Sequence, residues 1–353
     1  MNPIRVIVID DSAFMRKILR DILTGDHRIE VVATARNGEE GLKKIKELKP
    51  DVATLDVHMP VMDGITALKA IMKDHPLPVV MLSSISTEGT TKTVQAISNG
   101  AVDFITKPSG PISLDITTIR QEIITKVITA AKVNIKKCAE KEKTVTAANN
   151  ISAVQPFSKT IIAIGTSTGG PRALQRVLAD LGNDIAAPIL IVQHMPKGFT
   201  KSLAERLNAM CSLNVREAVH GEILKDNTAY IAPGDFHMKV RDAGTSAVIE
   251  LNKEPPLHGH RPAVDILFEA VGNLRKVNKI AVILTGMGSD GSKGIEIMRE
   301  MDPEAKVIAE AEETSIIYGM PKAALKTNCV NYVVPLDRVG KTLLSLAKQK
   351  GGK

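Results

Sequence analysis

The stretch IIAIGTSTGGPRALQRVL, Ile161 to Leu178, runs from an apolar segment through a glycine-bracketed turn into an amphipathic helical pattern. Apolar residues without alternation suit a strand buried on both faces, and the spacing of Ala173, Leu174, Val177 and Leu178 suits one face of a helix. A strand–turn–helix unit of this kind belongs to a doubly wound α/β sheet. Its turn has two common uses. One cradles a phosphate on backbone N–H groups at the helix start; the other seats a nucleophilic serine on a tight bend. Gly165, Gly169 and Gly170 would serve the first use, and Ser167 the second.

The phosphate readings fail on particulars. A dinucleotide fingerprint needs G-x-G-x-x-G and a later acidic residue, whereas Ser167 occupies the second glycine place and the next strand, ILIVQ, ends in His194. A P-loop needs Lys and Ser or Thr after its last glycine, where Pro171 and Arg172 stand. Gly165-Thr-Ser167-Thr-Gly169 satisfies G-x-S-x-G, but no histidine lies beyond His260, so the α/β-hydrolase order with a late acid is excluded. Triads are defined by geometry rather than chain order. His194 after ILIVQ and Asp290 in VILTGMGSDG both follow strands, so a doubly wound sheet gathers them with Ser167 along one rim. A serine hydroxyl needs a base to take its proton, and the base needs an acceptor to fix its tautomer. Competing uses remain open at this point. Ser167 suits a helix N-cap and Asp290 a turn. His258 and His260 are rival bases, and with Asp265 they form a loose metal-like cluster.

Outward from the turn, strands at TIIAIG, APILIVQ, AYIAPG, KIAVILTG, KVIAEA and NYVVP alternate with helices at RALQRVLADL, FTKSLAERLNAM, AVDILFEAVGNL, SKGIEIMREM and MPKAALK. MKVRDAGTSAVIEL reads as a hairpin, an antiparallel excursion on an otherwise mostly parallel sheet. The chain has 353 residues, which favours two domains, and the first half repeats the theme. Strands IRVIVID, RIEVVATA, DVATLD, PVVMLSS and DFITK alternate with helices SAFMRKILRDIL, GEEGLKKIKEL, GITALKAIMK and TKTVQAISNG. That is a second doubly wound sheet, and its ligands belong at the carboxyl ends of the strands. Those ends carry Asp10 and Asp11, Asp56, Ser83 and Lys107. Three converging carboxylates call for a cation, and oxygen-only ligation suits Mg²⁺. A carboxylate beside Mg²⁺ can take up a phosphoryl group, with Lys107 pairing to it and the Ser83 hydroxyl donating to one of its oxygens.

The segments predict domains at 1–130 and 160–353 joined by a linker at 131–159, which is rich in Lys, Ala, Asn, Thr and Ser. The net charge of +7 is spread among Asp and Glu, and the basic runs Lys132–Lys143 and KQKGGK read as solvated linker and terminus. With 3% aromatic residues, no Trp and no helix-turn-helix pattern, nucleic acid is not an expected partner. Cys138, Cys211 and Cys329 have neither disulfide nor zinc spacing. Neither a signal peptide nor a membrane span is legible, so a soluble cytoplasmic protein, monomeric by default, is expected.

VIDDS, LDVHMPVMDG, MLSS and DFITKP resemble the receiver domain of two-component response regulators, a flavodoxin-like fold. By that resemblance Asp56 is the phosphoacceptor, Asp10 and Asp11 hold Mg²⁺ with it, Ser83 is the hydroxyl switch and Lys107 the phosphate partner. Phe104 stands at the aromatic switch position, often Tyr, and His58 replaces a common acidic residue. GTSTGGPRAL, QHMPKGFT, YIAPGDFHM, GHRPAVDILF, ILTGMGSDG and Gly319-Met-Pro321 resemble the catalytic domain of chemotaxis methylesterases of the CheB family. That resemblance implies hydrolysis of glutamyl γ-methyl esters on methyl-accepting chemotaxis receptors, with release of methanol, and deamidation of certain glutamines. Ser167 is then the nucleophile, His194 the base and Asp290 the orienting acid, while Thr168, Gly169 and Met287 neighbour the substrate and oxyanion. It also implies a chemotaxis histidine kinase as phosphodonor, no cofactor in the catalytic domain, and inhibition by the unphosphorylated receiver. The glycines at 169, 170, 286 and 288 are expected to let a receptor helix approach the backbone. The rival functions are a general serine esterase or peptidase under receiver control, and a non-catalytic output domain.

Overall fold

The structure, a computed structural model, describes residues 2–107, 116–133, 135, 160–182, 185–244 and 246–348. Most of the expected linker at 131–159, including Cys138 and most of the basic run Lys132–Lys143, lies outside the described residues, as does nearly all of KQKGGK. The chain separates into two compact units, Met1–Glu142 and Lys143–Lys353.

In the first unit β1 (Ile4–Ile9), β2 (Ile29–Ala35), β3 (Val52–Asp56), β4 (Val79–Ser83) and β5 (Asp103–Thr106) form one parallel sheet in the order β2-β1-β3-β4-β5. All of β3 and β4 is buried, as central strands covered by helices on both faces must be. Helices α1 (Ala13–Thr24), α2 (Gly38–Leu48), α3 (Gly64–Asp74), α4 (Thr87–Ser98) and α5 (Ile116–Ala130) follow the strands. Ser12, Asn37, Asp63 and Ser86 cap the first four with side-chain oxygens on backbone N–H groups. Helix α4 starts four residues before the expected TKTVQAISNG, because the Ser86 cap begins it and Gly89 merely occupies its first turn.

The second unit holds a seven-stranded sheet whose strands, in chain order, are β6 (Thr160–Thr166), β7 (Ile189–Gln193), β8 (Asn214–Glu217), β9 (Thr228–Ile231), β12 (Asn278–Ile283), β13 (Lys306–Glu310) and β14 (Tyr332–Val334). Their order is β14-β13-β12-β6-β7-β9-β8, parallel throughout. The expected hairpin is present as β10 (His237–Asp242) and β11 (Ala247–Asn252), an antiparallel pair forming its own small sheet. Six helices are described here: α6 (Gly170–Leu181), α7 (Phe199–Met210), α8 (Val264–Gly272), α9 (Ser292–Met301), α10 (Met320–Leu325) and α11 (Leu336–Lys348). The short edge strand β8 and helix α11 were not read from the sequence. The chain winds from β6 toward β7 on one side and returns to β12 on the other, so the order reverses between β6 and β12. The crevice outside the carboxyl ends at such a reversal is where α/β sheets bind ligands. Ser167 follows β6 there, and Thr285 to Met287 follow β12.

Candidate active site and phosphoacceptor pocket

The first unit gathers the expected residues at its strand ends. Ligand oxygens of Asp10, Asp11 and Asp56 lie within 4.8 Å of one another, and among the described residues this is the one cluster able to hold a metal ion. Lys107 Nζ is 2.8 Å from Asp10 Oδ2 and 2.8 Å from Asp56 Oδ2. Burial raises the Asp56 carboxyl above its usual range, and the Lys107 ammonium only partly offsets this. A hard, oxygen-only donor set with a carboxylate that is costly to keep charged fits Mg²⁺. Arg16 Nη1 donates to the carbonyls of Asp10 and Asp11, fixing the loop that presents them. Ser83 Oγ is buried and turned to α4: it accepts from Thr93 Oγ1 at 2.6 Å and faces the carbonyls of Ser84 and Gly89. Phe104 is buried, with Lys126 Nζ 4.9 Å from its ring centre.

In the second unit Ser167, His194 and Asp290 follow β6, β7 and β12. His194 Nε2 is 2.7 Å from Asp290 Oδ2, and both side chains are nearly excluded from solvent, at 6% and 3% exposure. Asp290 accepts two further bonds, from Val264 N at 2.7 Å and Asp265 N at 2.9 Å. Burial opposes ionisation of Asp290, but the His194 bond and charge and these two N–H groups outweigh it and hold the carboxyl below its ordinary range. An ionised carboxylate only accepts, so His194 carries its proton on Nε2 in the neutral ring. Nδ1, buried and without a hydrogen-bond partner, then keeps its lone pair free. The ring of His260 stacks on that of His194, centroids 3.9 Å apart and planes within 8°.

Local structure explains the turn. The left-handed Gly169, at φ 81°, precedes α6 and caps it without a side-chain bond, so Ser167 is not the helix cap. Ser167 is half-buried. Its N–H donates to the Thr285 carbonyl at 3.1 Å, and its own carbonyl accepts from Gly170 N and Gln193 Nε2. Gln193 Nε2 also reaches the His194 carbonyl at 3.3 Å, and His194 N donates to the Thr166 carbonyl at 3.2 Å. Serine and histidine are thereby tied through their backbones. Asp290 and Asp265 cap each other's helices: Asp290 takes the first N–H groups of α8, while Asp265 Oδ1 accepts from Gly291 N and Gly294 N at the start of α9. Burial raises the Asp265 carboxyl above its ordinary value, the Gly294 N–H working against it and the Asp290 charge with it.

One expectation is revised. The glycines were expected to admit a receptor helix, but three of them face the protein itself. A Cβ on Gly169 would meet Ile316 and Thr285, one on Gly170 would meet Gln193 and Thr166, and one on Gly286 would meet Met320 and Ser167. Only Gly288 of the four faces open space. The loose cluster of His258, His260 and Asp265 is no metal site among the described residues: His260 stacks on His194, and His258 Nε2 stays 3.9 Å from an Asp265 engaged in capping. Thr168 is half-buried and Met287 is 45% exposed, both beside the crevice. Sequence reasoning missed Gln193, Thr285, the capping by Asp265 and the buried Glu310. Asp265 carried a signal in GHRPAVD; the others sit in ordinary strand ends.

Comparison with known proteins sharpens the picture. Residues 162–343 match the family described as CheB methylesterase, and residues 6–120 the response regulator receiver domain. The chain is 55% identical over 343 residues to the protein-glutamate methylesterase/protein-glutamine glutaminase of Oceanobacillus iheyensis, covering 96% of this chain and 97% of that one. It is 44% identical to the Bacillus subtilis protein of the same name, covering 98% and 99%. The solved CheB methylesterase catalytic domain of Thermotoga maritima is 42% identical with a TM-score of 0.52, covering 54% of this chain and 99% of that one.

Proposed function

Since the chain belongs to the CheB methylesterase family and carries a response-regulator receiver domain, we propose that it is a phosphorylation-activated protein-glutamate methylesterase and protein-glutamine glutaminase acting on chemoreceptors. The observation that carries this reading is the 2.7 Å His194–Asp290 pair beside the Ser167 turn, with His194 Nδ1 left as a free base. In the proposed reaction Ser167 Oγ attacks the γ-carbonyl carbon as its proton passes to His194 Nδ1. Asp290 holds the ring and stabilises the imidazolium. The oxyanion lies in the neighbourhood of Thr168, Gly169 and Met287, where backbone N–H groups can receive it. Collapse breaks the ester bond, and His194 returns the proton to the leaving group, giving methanol from an ester or ammonia from an amide. Water, deprotonated by the same nitrogen, then cleaves the acyl-enzyme to glutamate and frees Ser167.

Residues 1–130 form the proposed receiver, 131–159 the linker and 160–353 the catalytic domain. Asp10, Asp11 and Asp56 would hold Mg²⁺, which when bound neutralises charge on an incoming phosphoryl group. Asp56 accepts that group from a chemotaxis histidine kinase, Lys107 pairs with it, and Ser83 turns from Thr93 toward it. Phosphorylation relieves inhibition of the catalytic site, in the cytoplasm where receptor helices present their glutamyl esters. No described helix is long and apolar enough to cross a membrane.

Methanol release from methyl-esterified receptors tests the reading. Ser167→Ala should abolish it, and release that survives would assign the wrong nucleophile. Residues 160–353 alone should outpace the unphosphorylated full chain; equal rates would remove the inhibition.

A further inference from the structure

Glu310 ends β13 and is fully buried. Its Oε2 accepts from Thr285 N at 2.8 Å and its Oε1 from the Thr314 hydroxyl at 3.0 Å. Thr314 Oγ1 in turn accepts from Leu336 N at 3.0 Å. No cation pairs with Glu310 among the described residues, and burial pushes its carboxyl up to about 7. A buried acid without a counter-ion is costly, and an apolar residue would serve packing better.

The register shows what the carboxyl does there. The β12–β13 ladder stops at Ile283–Ala309, and the backbone of Glu310 pairs on its other side with Val334 of β14. Beyond that point the chain after β12 still bonds to the β6 side but no longer pairs with β13, and the Glu310 side chain supplies the acceptor for Thr285 N–H that β13 would otherwise provide. Thr285 then holds the Ser167 turn from two atoms. Its carbonyl accepts from Ser167 N at 3.1 Å and from Thr166 Oγ1 at 2.9 Å. Its hydroxyl accepts from Ile317 N and faces the Thr168 carbonyl at 3.0 Å.

We propose that Glu310 is a positioning residue for the hydrolysis: its carboxyl group fixes the Thr285 peptide, and Thr285 fixes the backbone of Ser167 and Thr168. The inference rests on the serine-hydrolase reading above. Its effect belongs in kcat, since the turn must be correctly placed in the transition state, and sub-ångström misplacement of a reacting group costs rate rather than binding. An amide suits the same place, since its oxygen can accept from Thr285 N–H and its nitrogen can donate to Thr314 Oγ1.

The test is methanol release by the full chain with a small-molecule phosphodonor, over a range of methylated-receptor concentrations. Glu310→Leu should lower kcat by about 10²-fold with KM changed less than about threefold, and Glu310→Gln should restore kcat to within about threefold of the parent. Should Glu310→Leu not fold, Thr314→Val decides, because it frees one carboxyl oxygen while leaving the acid in place. It should lower kcat several-fold at constant KM. A folded Leu variant with parental kcat, a Gln variant as slow as Leu, or an unchanged Thr314→Val variant would overturn the positioning role. A parent chain that releases no methanol would instead sink the hydrolase reading.

Discussion

Replacement of Asp290 by Asn removes one charge and almost no volume, so it isolates what the carboxylate does. Asp290 receives three donors: His194 Nε2 and Val264 N on Oδ2, and Asp265 N on Oδ1. The amide offers a single acceptor oxygen. With that oxygen in the Oδ2 place, its NH₂ faces the Asp265 N–H, donor against donor. With the oxygen in the Oδ1 place, the NH₂ faces Val264 N–H and His194, and the ring must move its proton to Nδ1 and lose its basic lone pair. Either arrangement breaks a charge-assisted bond, worth about 1.5–3 kcal/mol, and removes a negative charge from the start of α8, worth up to about 1 kcal/mol. The second unit should therefore lose about 2–4 kcal/mol, read by urea denaturation at pH 7. The loss should shrink in acid. Because the folded carboxyl is held below its ordinary value of 3.8, its contribution is complete above that value and vanishes as pH falls through the folded one. Methanol release at saturating substrate should drop by about 10⁴-fold, the scale of a serine hydrolase whose histidine takes the wrong tautomer. A variant retaining a tenth of the parental kcat, or one equally destabilised at pH 7 and pH 3, would refute this account of the site.

Gly286→Ala places a Cβ 2.9 Å from Ser167 Cβ and 3.0 Å from Ser167 N, so kcat should fall at least about 10²-fold while the chain stays folded by circular dichroism. Lys107→Ala leaves the carboxylates of Asp10 and Asp56 without their shared cation. The first unit should lose about 3–5 kcal/mol at pH 7, with stability recovering on addition of Mg²⁺ or as the pH is lowered, since burial already raises the Asp56 carboxyl and favours its protonated form in the fold. Burial pushes the Cys211 thiol up to about 11. Iodoacetamide at pH 8 should therefore spare Cys211 in the native chain and modify it only in urea, as peptide mass mapping would show.

The fold was legible because both units advertise the same period: apolar runs ending in polar residues, most of them followed by a helical pattern. Those polar ends are also why the cluster proposed to take the phosphoryl group could be read, since strand order brings Asp10, Asp56 and Lys107 together whatever the details of the helices. Ser167, His194 and Asp290 were legible for the same reason. What stayed hidden depends on register rather than on pattern. Gln193 and Glu310 are strand-end residues like any others until one knows that β7 pairs with β6 and that the β12–β13 ladder stops at Ile283. Asp265 was visible beside His258 and His260, but its capping role was not, because its partners, Gly291 and Gly294, lie 26 and 29 residues away.

The glycines carry the same lesson around Ser167. From sequence they look like room made for a substrate. In the structure Gly169, Gly170 and Gly286 are small because Thr285, Gln193 and Ser167 are packed against them. The turn is therefore held from behind. Thr285, just after β12, fixes Ser167, Gln193 on β7 ties Ser167 to His194, and the paired caps of Asp265 and Asp290 fix Asp290. If Ser167 is the nucleophile as proposed, such support raises the rate because its approach is set before substrate arrives. It follows that mutations behind the turn, at residues that never meet the receptor, should depress kcat more than KM, whereas changes at the exposed Met287 should act mainly on KM.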